Sequence, residues 1–129
     1  MRFLLGFAVL SLALTVACTN KLSGEVTVDD QPFVIESCES GQRNGFVGVD
    51  LTASDGRRLR VVQTPSGAPQ VFLFAGEAVG QELGACGSFT IQFQNSTIND
   101  IKNVMGEARL DCTTDEHRVK GTVTFENCH

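Results

Sequence analysis

Three stretches decide the fold: Phe89-Thr90-Ile91-Gln92-Phe93-Gln94, the run from Val104 to Cys112 (VMGEARLDC), and the run from Val119 to Glu126 (VKGTVTFE). In each, every second residue is apolar or small: Phe89, Ile91, Phe93, then Val104, Gly106, Ala108, Leu110, then Val119, Gly121, Val123, Phe125. A period of two marks a strand with one face turned to a core, because successive side chains leave opposite faces of the pleat. Laid side by side as a meander, the apolar faces align with Leu110 opposite Val119 and Val104 opposite Phe125. Gly106, Ala108 and Gly121 then form a shallow patch that the rings of Phe89 and Phe93, or a facing sheet, would fill.

Working outward, the same patterning predicts strands at Glu25–Val28, Phe33–Ser37, Phe46–Thr52, Leu59–Gln63 and Val71–Ala75. Turn chemistry separates them, at Asp29-Asp30-Gln31-Pro32, Ser40-Gly41, Ser54-Asp55-Gly56, Pro65-Ser66-Gly67 and Thr113-Thr114-Asp115. No stretch sustains a helical period over ten residues. Ala75 to Leu83 has room for one helical turn, but Gly76, Gly80 and Gly84 argue for a loop. The expectation is an all-β domain over residues 24–129, an antiparallel sandwich or small barrel of about eight strands.

Five cysteines occur, at 18, 38, 86, 112 and 128. Setting Cys18 aside leaves an even set, which reads as a disulfide framework in an exported chain. Cys86 and Cys112 flank the loop near Asn99 almost symmetrically. Their parities clash, since Cys86 falls on the polar side of its strand and Cys112 on the apolar side of its own. A bulge at Gly87 would supply the one residue needed to bring both to the same side. Four cysteines allow three pairings; Cys86–Cys112 with Cys38–Cys128 is the preferred one, each bridge adding about 2–4 kcal/mol.

The N-terminus, MRFLLGFAVLSLALTVAC, has one positive charge and an apolar run from Phe3 to Ala17. That run is too short to cross a hydrocarbon core, which needs about 20 apolar residues. It reads as an export signal over residues 1–17. Ala17-Cys18 resembles the end of a bacterial lipobox, the site cut by signal peptidase II, although Thr15 stands where leucine is usual. The resemblance implies lipid attachment at Cys18, a tether over 18–23, and placement on the cell envelope. By the known sorting rule, Thr19 after the cysteine favours an outer membrane where one exists. Several acyl chains hold a protein on a bilayer stably where one does not. The alternative is an ordinary signal cut after Ala17, leaving Cys18 a free or intermolecular thiol. The layout is also similar to the mycobacterial 19-kDa lipoprotein antigen family, through Phe33 to Cys38 and Val119 to Val123 leading to Cys128. This chain differs in having a second cysteine pair, and the similarity carries no catalytic residues.

Little chemistry is written into the remainder. The chain carries −5, and removing the leader's Arg2 leaves −6, spread without runs. Arg57-Arg58-Leu59-Arg60 reads as the solvated side of a strand, so no nucleic-acid partner is expected. Tryptophan and tyrosine are absent, which weakens a sugar-stacking role. His117 lies in a charged turn and His129 is the last residue, with no ligand spacing for a metal. A Ser-His-Asp arrangement would have to rest on His117. Carboxylate pairs such as Asp50 with Glu36, or Glu107 with Asp111, read as outward-facing, and Asn95-Ser96-Thr97 as loop chemistry. No cofactor and no enzymatic activity are expected. One positive feature remains: Gln70 to Ala75 is apolar on both faces. Either the Gly76–Gly84 loop covers Phe72 and Phe74, or these rings meet a protein or a small hydrophobic ligand. The readings are therefore a membrane-anchored binding or structural module, or a carrier of a hydrophobic small molecule.

Overall fold

The structure is a computed structural model and describes residues 20–76, 79–98 and 100–129. Two five-stranded antiparallel sheets form a sandwich. The terminal sheet is built from both ends of the chain: β1 (Lys21–Val28), β2 (Gln31–Pro32), β8 (Ser88–Ile98), β9 (Ile101–Thr113) and β10 (Arg118–Cys128), in the order β2-β1-β10-β9-β8. The central sheet is a plain meander of β3 (Ile35–Ser40), β4 (Gly48–Ala53), β5 (Arg58–Val62), β6 (Gln70–Phe74) and β7 (Gln81–Ala85). A 3-10 turn at Gly41–Asn44 links β3 to β4; Ser40 Oγ accepts from Gln42 N at its start, and Gly45 closes it in the left-handed region. β3 packs against β1, β10 and β9 of the terminal sheet.

Alternation places the core where the sequence predicts it. Val49, Leu51, Leu59, Val61, Val71 and Leu73 from one sheet meet Val104, Ala108, Leu110, Val119, Val123 and Phe125 from the other, all buried. Phe89 reaches the core with its ring 6.0 Å from that of Phe125. Phe93, also expected to fill the patch, instead stays 51% exposed.

The two disulfides are Cys38–Cys128 and Cys86–Cys112, with Cα–Cα distances of 4.9 and 5.2 Å. Gly87 resolves the parity conflict as a corner: the chain leaves the central sheet at Ala85 and enters the terminal sheet at Ser88. Gly87 takes φ 86°, and a Cβ there would fall on the Arg109 carbonyl oxygen, so both conformation and space demand glycine.

Four expectations need correction. Residues Gln81 to Ala85, read as part of a loop, form edge strand β7; a register shift beside Leu83 and a positive φ at Gly84 accommodate the glycines. Lys21 to Ser23, expected in the tether, pair with Glu126 to Thr124 as the first residues of β1. The β9–β10 register is two residues from the expected one, with Leu110 opposite Gly121 and Phe125 opposite Gly106. Faces are unchanged because a shift of two preserves them. Finally, β2 adds a two-residue strand at the Gln31-Pro32 turn.

Candidate functional site

Cys18 lies outside the described residues. The described residues begin at Asn20, whose side chain is held at both ends. Its Nδ2 donates to the Asn127 carbonyl at 2.8 Å, and its Oδ1 accepts from the Cys38 N–H at 3.0 Å. Asn20 thereby bridges the two strands that the Cys38–Cys128 disulfide joins. Asn127 sits in the irregularity between Phe125 and Cys128, at φ 59°. Gln94, in the matching irregularity of β8, pairs reciprocally with it: Gln94 Nε2 donates to Asn127 Oδ1 and Asn127 N donates to Gln94 Oε1. Asn20, Asn127 and Gln94 thus form one hydrogen-bonded row across this end of the domain.

Phe72 and Phe74 point away from the core, on the outer side of the central sheet, because Val71 and Leu73 take the inner positions. They do not form an open apolar patch. The Arg58 guanidinium lies 4.2 Å from the Phe74 ring centre, and Gly80 from the following loop packs flat against the same ring. Arg60 lies between the rings of Phe46, at 4.6 Å, and Phe74, at 5.0 Å. Phe74 is buried beneath these groups, while Phe72 stays half-buried opposite Arg60 and Glu82. A small hollow of about 170 Å³ opens there, between Thr52, Gly56, Arg58, Phe74 and Gly76.

The same face holds a buried ion pair that the sequence reading took for two solvated groups. Asp50 is fully buried on the outer side of β4. Arg60 grips it with two bonds, Nε to Oδ1 at 2.8 Å and Nη2 to Oδ2 at 3.0 Å, and Asn44 Nδ2 adds a third at 3.3 Å. The carboxylate holds the Arg60 guanidinium above its ordinary pKa. A signal was present, since Val49-Asp50-Leu51 and Leu59-Arg60-Val61 each place a charge in an apolar strand. Cross-strand register, with Asp50 opposite Arg60, is what joins them.

The larger concavity is one that the sequence reading missed. β2 covers only Thr27 and Val28 of β1, so most of that edge is unpaired by a further strand. Beyond it, Phe33 N donates to the Val26 carbonyl, and Val34 and Ile35 swing across to start the central sheet. Between these segments lies a groove of about 370 Å³. Leu22, Val26, Phe33, Val34, Ile35 and Val123 supply its apolar lining, with Val34 on the rim 58% exposed. The consecutive apolar residues Phe33-Val34-Ile35 were its trace in the sequence, since a strand with one buried face has no use for the middle one.

The remaining candidates stand apart. His117 Nδ1 lies 2.8 Å from Asp29 Oδ2, and the Asp29 Oδ1 accepts from Arg118 N at 2.9 Å. The Arg118 backbone N–H, followed by His117, holds the Asp29 carboxyl below its ordinary value. Glu36 is exposed and far from converging on Asp50, while Glu107 pairs with Arg109. Among the described residues no three His, Cys, Asp or Glu side chains cluster to hold a metal, and no helix is long and apolar enough to cross a membrane. No protein-family model, curated protein or solved structure matches the chain.

Proposed function

We propose that this chain is a lipid-anchored β-domain of a bacterial cell envelope, held on the membrane through acylated Cys18 and acting as a non-enzymatic binding or structural module. The observation that carries the reading is the fixation of Asn20. Two residues after Cys18, the chain is already tied to the disulfide-bridged end of a rigid sandwich. An anchor at Cys18 would therefore hold the whole domain closely, with little slack between lipid and fold. The four other cysteines are all used in bridges, which leaves Cys18 as the odd one and suits an oxidising compartment. Mass spectrometry of the protein from a bacterial membrane fraction tests this. The expected N-terminal peptide begins at Cys18 and carries a diacylglyceryl mass, and Cys18→Ala leaves the protein unprocessed or soluble. An unmodified Cys18 thiol in the mature protein refutes it.

A second reading, carriage of a hydrophobic small molecule, is favoured by the apolar groove beside β1, not by Phe72 and Phe74. A groove of several hundred cubic ångströms with mainly apolar walls is the usual form of a small-ligand site. Titration of the domain with a fluorescent fatty acid tests it. Saturable binding that Val34→Asp weakens at least about tenfold supports the groove, since burying an unpaired carboxylate opposes an apolar ligand. Binding unchanged by Val34→Asp removes it.

A further inference from the structure

The end of the terminal sheet that holds Asn20 has a composition unlike the rest of this acidic chain. The row from Asn20 runs through Asn127 to Cys128, which pairs with Val104, which pairs with Phe93. Below that row the β8–β9 hairpin continues, through the pairs Thr97–Lys102 and Ile98–Ile101. Phe93 is 51% exposed at this level and Ile101 is half-buried at the hairpin end. Lys21, Arg43 and Lys102 are exposed at this end, Arg43 with its Nη2 3.4 Å from His129 Nδ1. Arg43 is brought in by the 3-10 turn, whose Gln42 Oε1 accepts from Lys102 N. The acids of this end are Asp100, exposed, with Glu39 and Glu126 half-buried, Glu126 lying opposite Lys21. The end is thus close to neutral in a chain of net −5.

We propose that this end is a membrane-seating surface, with Phe93 and Ile101 entering the lipid interface and Lys21, Arg43 and Lys102 facing anionic headgroups. The inference rests on acylation of Cys18. Two residues span at most about 7 Å. The headgroup layer on each side of a bilayer is roughly 5–8 Å deep, the difference between a total of about 40–45 Å and a core of about 30 Å. Asn20 is rigidly tied to the fold, so an acylated Cys18 holds Asn20, and Phe93 at the same level, no farther out than about the depth of that layer. The hairpin, which continues beyond the row, then enters it. Aromatic side chains settle at this depth, and cations near it are drawn to anionic lipid.

The absence of tryptophan supplies the test, because one substitution creates a single reporter. Phe93→Trp is compared with Val79→Trp. Val79 is 79% exposed and two residues from Gln81, which donates to Glu116 in the turn at the opposite end of the sheet. Both proteins are purified in acylated form and reconstituted in phosphatidylethanolamine–phosphatidylglycerol vesicles containing brominated acyl chains, with acylation read by mass on the same sample. The expected result is blue-shifted indole emission from Phe93→Trp, quenched about twofold or more, as for an aromatic ring at the interface, with emission from Val79→Trp unaffected. Acylated Phe93→Trp protein whose emission is not quenched overturns the seating surface and leaves the anchor standing. Protein without the acyl mass overturns both.

Discussion

Replacing Arg60 by methionine tests the energetic role of the outer face of the central sheet. Arg60→Met keeps an unbranched stem between the rings of Phe46 and Phe74 and deletes only the guanidinium. Asp50 then stays fully buried with Asn44, at 3.3 Å, as its remaining side-chain donor. Breaking a buried pair by removing one partner costs about 3–5 kcal/mol, because the other charge is left uncompensated. Two charge-assisted bonds are lost, at 2.8 and 3.0 Å, and bonds of that kind are each worth about 1.5–3 kcal/mol. The expected loss for Arg60→Met is therefore about 3–5 kcal/mol. The double variant Asp50→Val/Arg60→Met removes both charges and should recover most of it, since apolar replacement of a buried pair is often neutral or better. Urea unfolding at neutral pH, followed by far-UV circular dichroism with the disulfides intact, reads both values. Far-UV detection is needed because the chain lacks tryptophan and tyrosine. If Arg60→Met costs less than about 1 kcal/mol, the pair behaves as a surface ion pair and the reasoning fails. A double variant no more stable than the single one fails it equally.

The two bridges should differ in worth. Loops of 90 and 26 residues give chain-entropy values of about 4.6 and 3.5 kcal/mol, so Cys38→Ala/Cys128→Ala should unfold at lower urea than Cys86→Ala/Cys112→Ala. The reverse order would mean that local packing outweighs loop closure. Because Asp29 is held below its ordinary pKa, its contribution is present above about pH 4, the unfolded-state value, and lost as pH falls through the depressed folded-state one. Asp29→Asn should thus lower the melting temperature at pH 6, with a deficit that shrinks as pH falls below about 4, and a deficit that grows on acidification would contradict this. Gly87→Ala should cost about 3 kcal/mol or more, since strain at positive φ adds to a clash with the Arg109 carbonyl. Gly56→Ala, with φ 91° and open space around it, should cost only about 1 kcal/mol in the same melt; equal losses would show that the corner is not tight.

Much of this architecture can be read from alternation. The three quoted stretches became β8, β9 and β10 with the expected faces inward, because the hydrophobic pattern sets parity. It does not set register. Leu110 meets Gly121 because the β9–β10 turn closes through Thr114 N to the His117 carbonyl, a loop longer than its Thr-Thr-Asp signature suggested. β7 was hidden because Gly80 before it and Gly84 within it read as loop, and an edge strand with a bulge can carry them. The cysteine pairing was legible from count and from the symmetric placement of Cys86 and Cys112 about Asn99, against their parity, which the corner at Gly87 reconciles. Phe72 and Phe74 misled because arginines on a neighbouring strand, not a loop alone, cover Phe74. The groove escaped because it arises between segments that meet only through β1 and the β2–β3 link. Its one trace in the linear pattern is the unbroken apolar run Phe33-Val34-Ile35, which does not say what those residues meet.

The way the terminal sheet is divided also sets an order of folding. The central sheet consists of five consecutive strands, each hydrogen-bonded to the next, so it can form through short loop closures. β1 has its long partner in β10, with Lys21 opposite Glu126, so nearly the whole chain must be present before that ladder closes. When the chain emerges N-terminus first, β1 would wait without its long partner while the middle of the domain folds. The Cys38–Cys128 bridge can form only at the end of that sequence, and it locks the arrival of the last strand. Trapping free thiols during refolding should find Cys38 and Cys128 the last to be protected. A bridge between them formed before Cys86 and Cys112 pair would reverse that order.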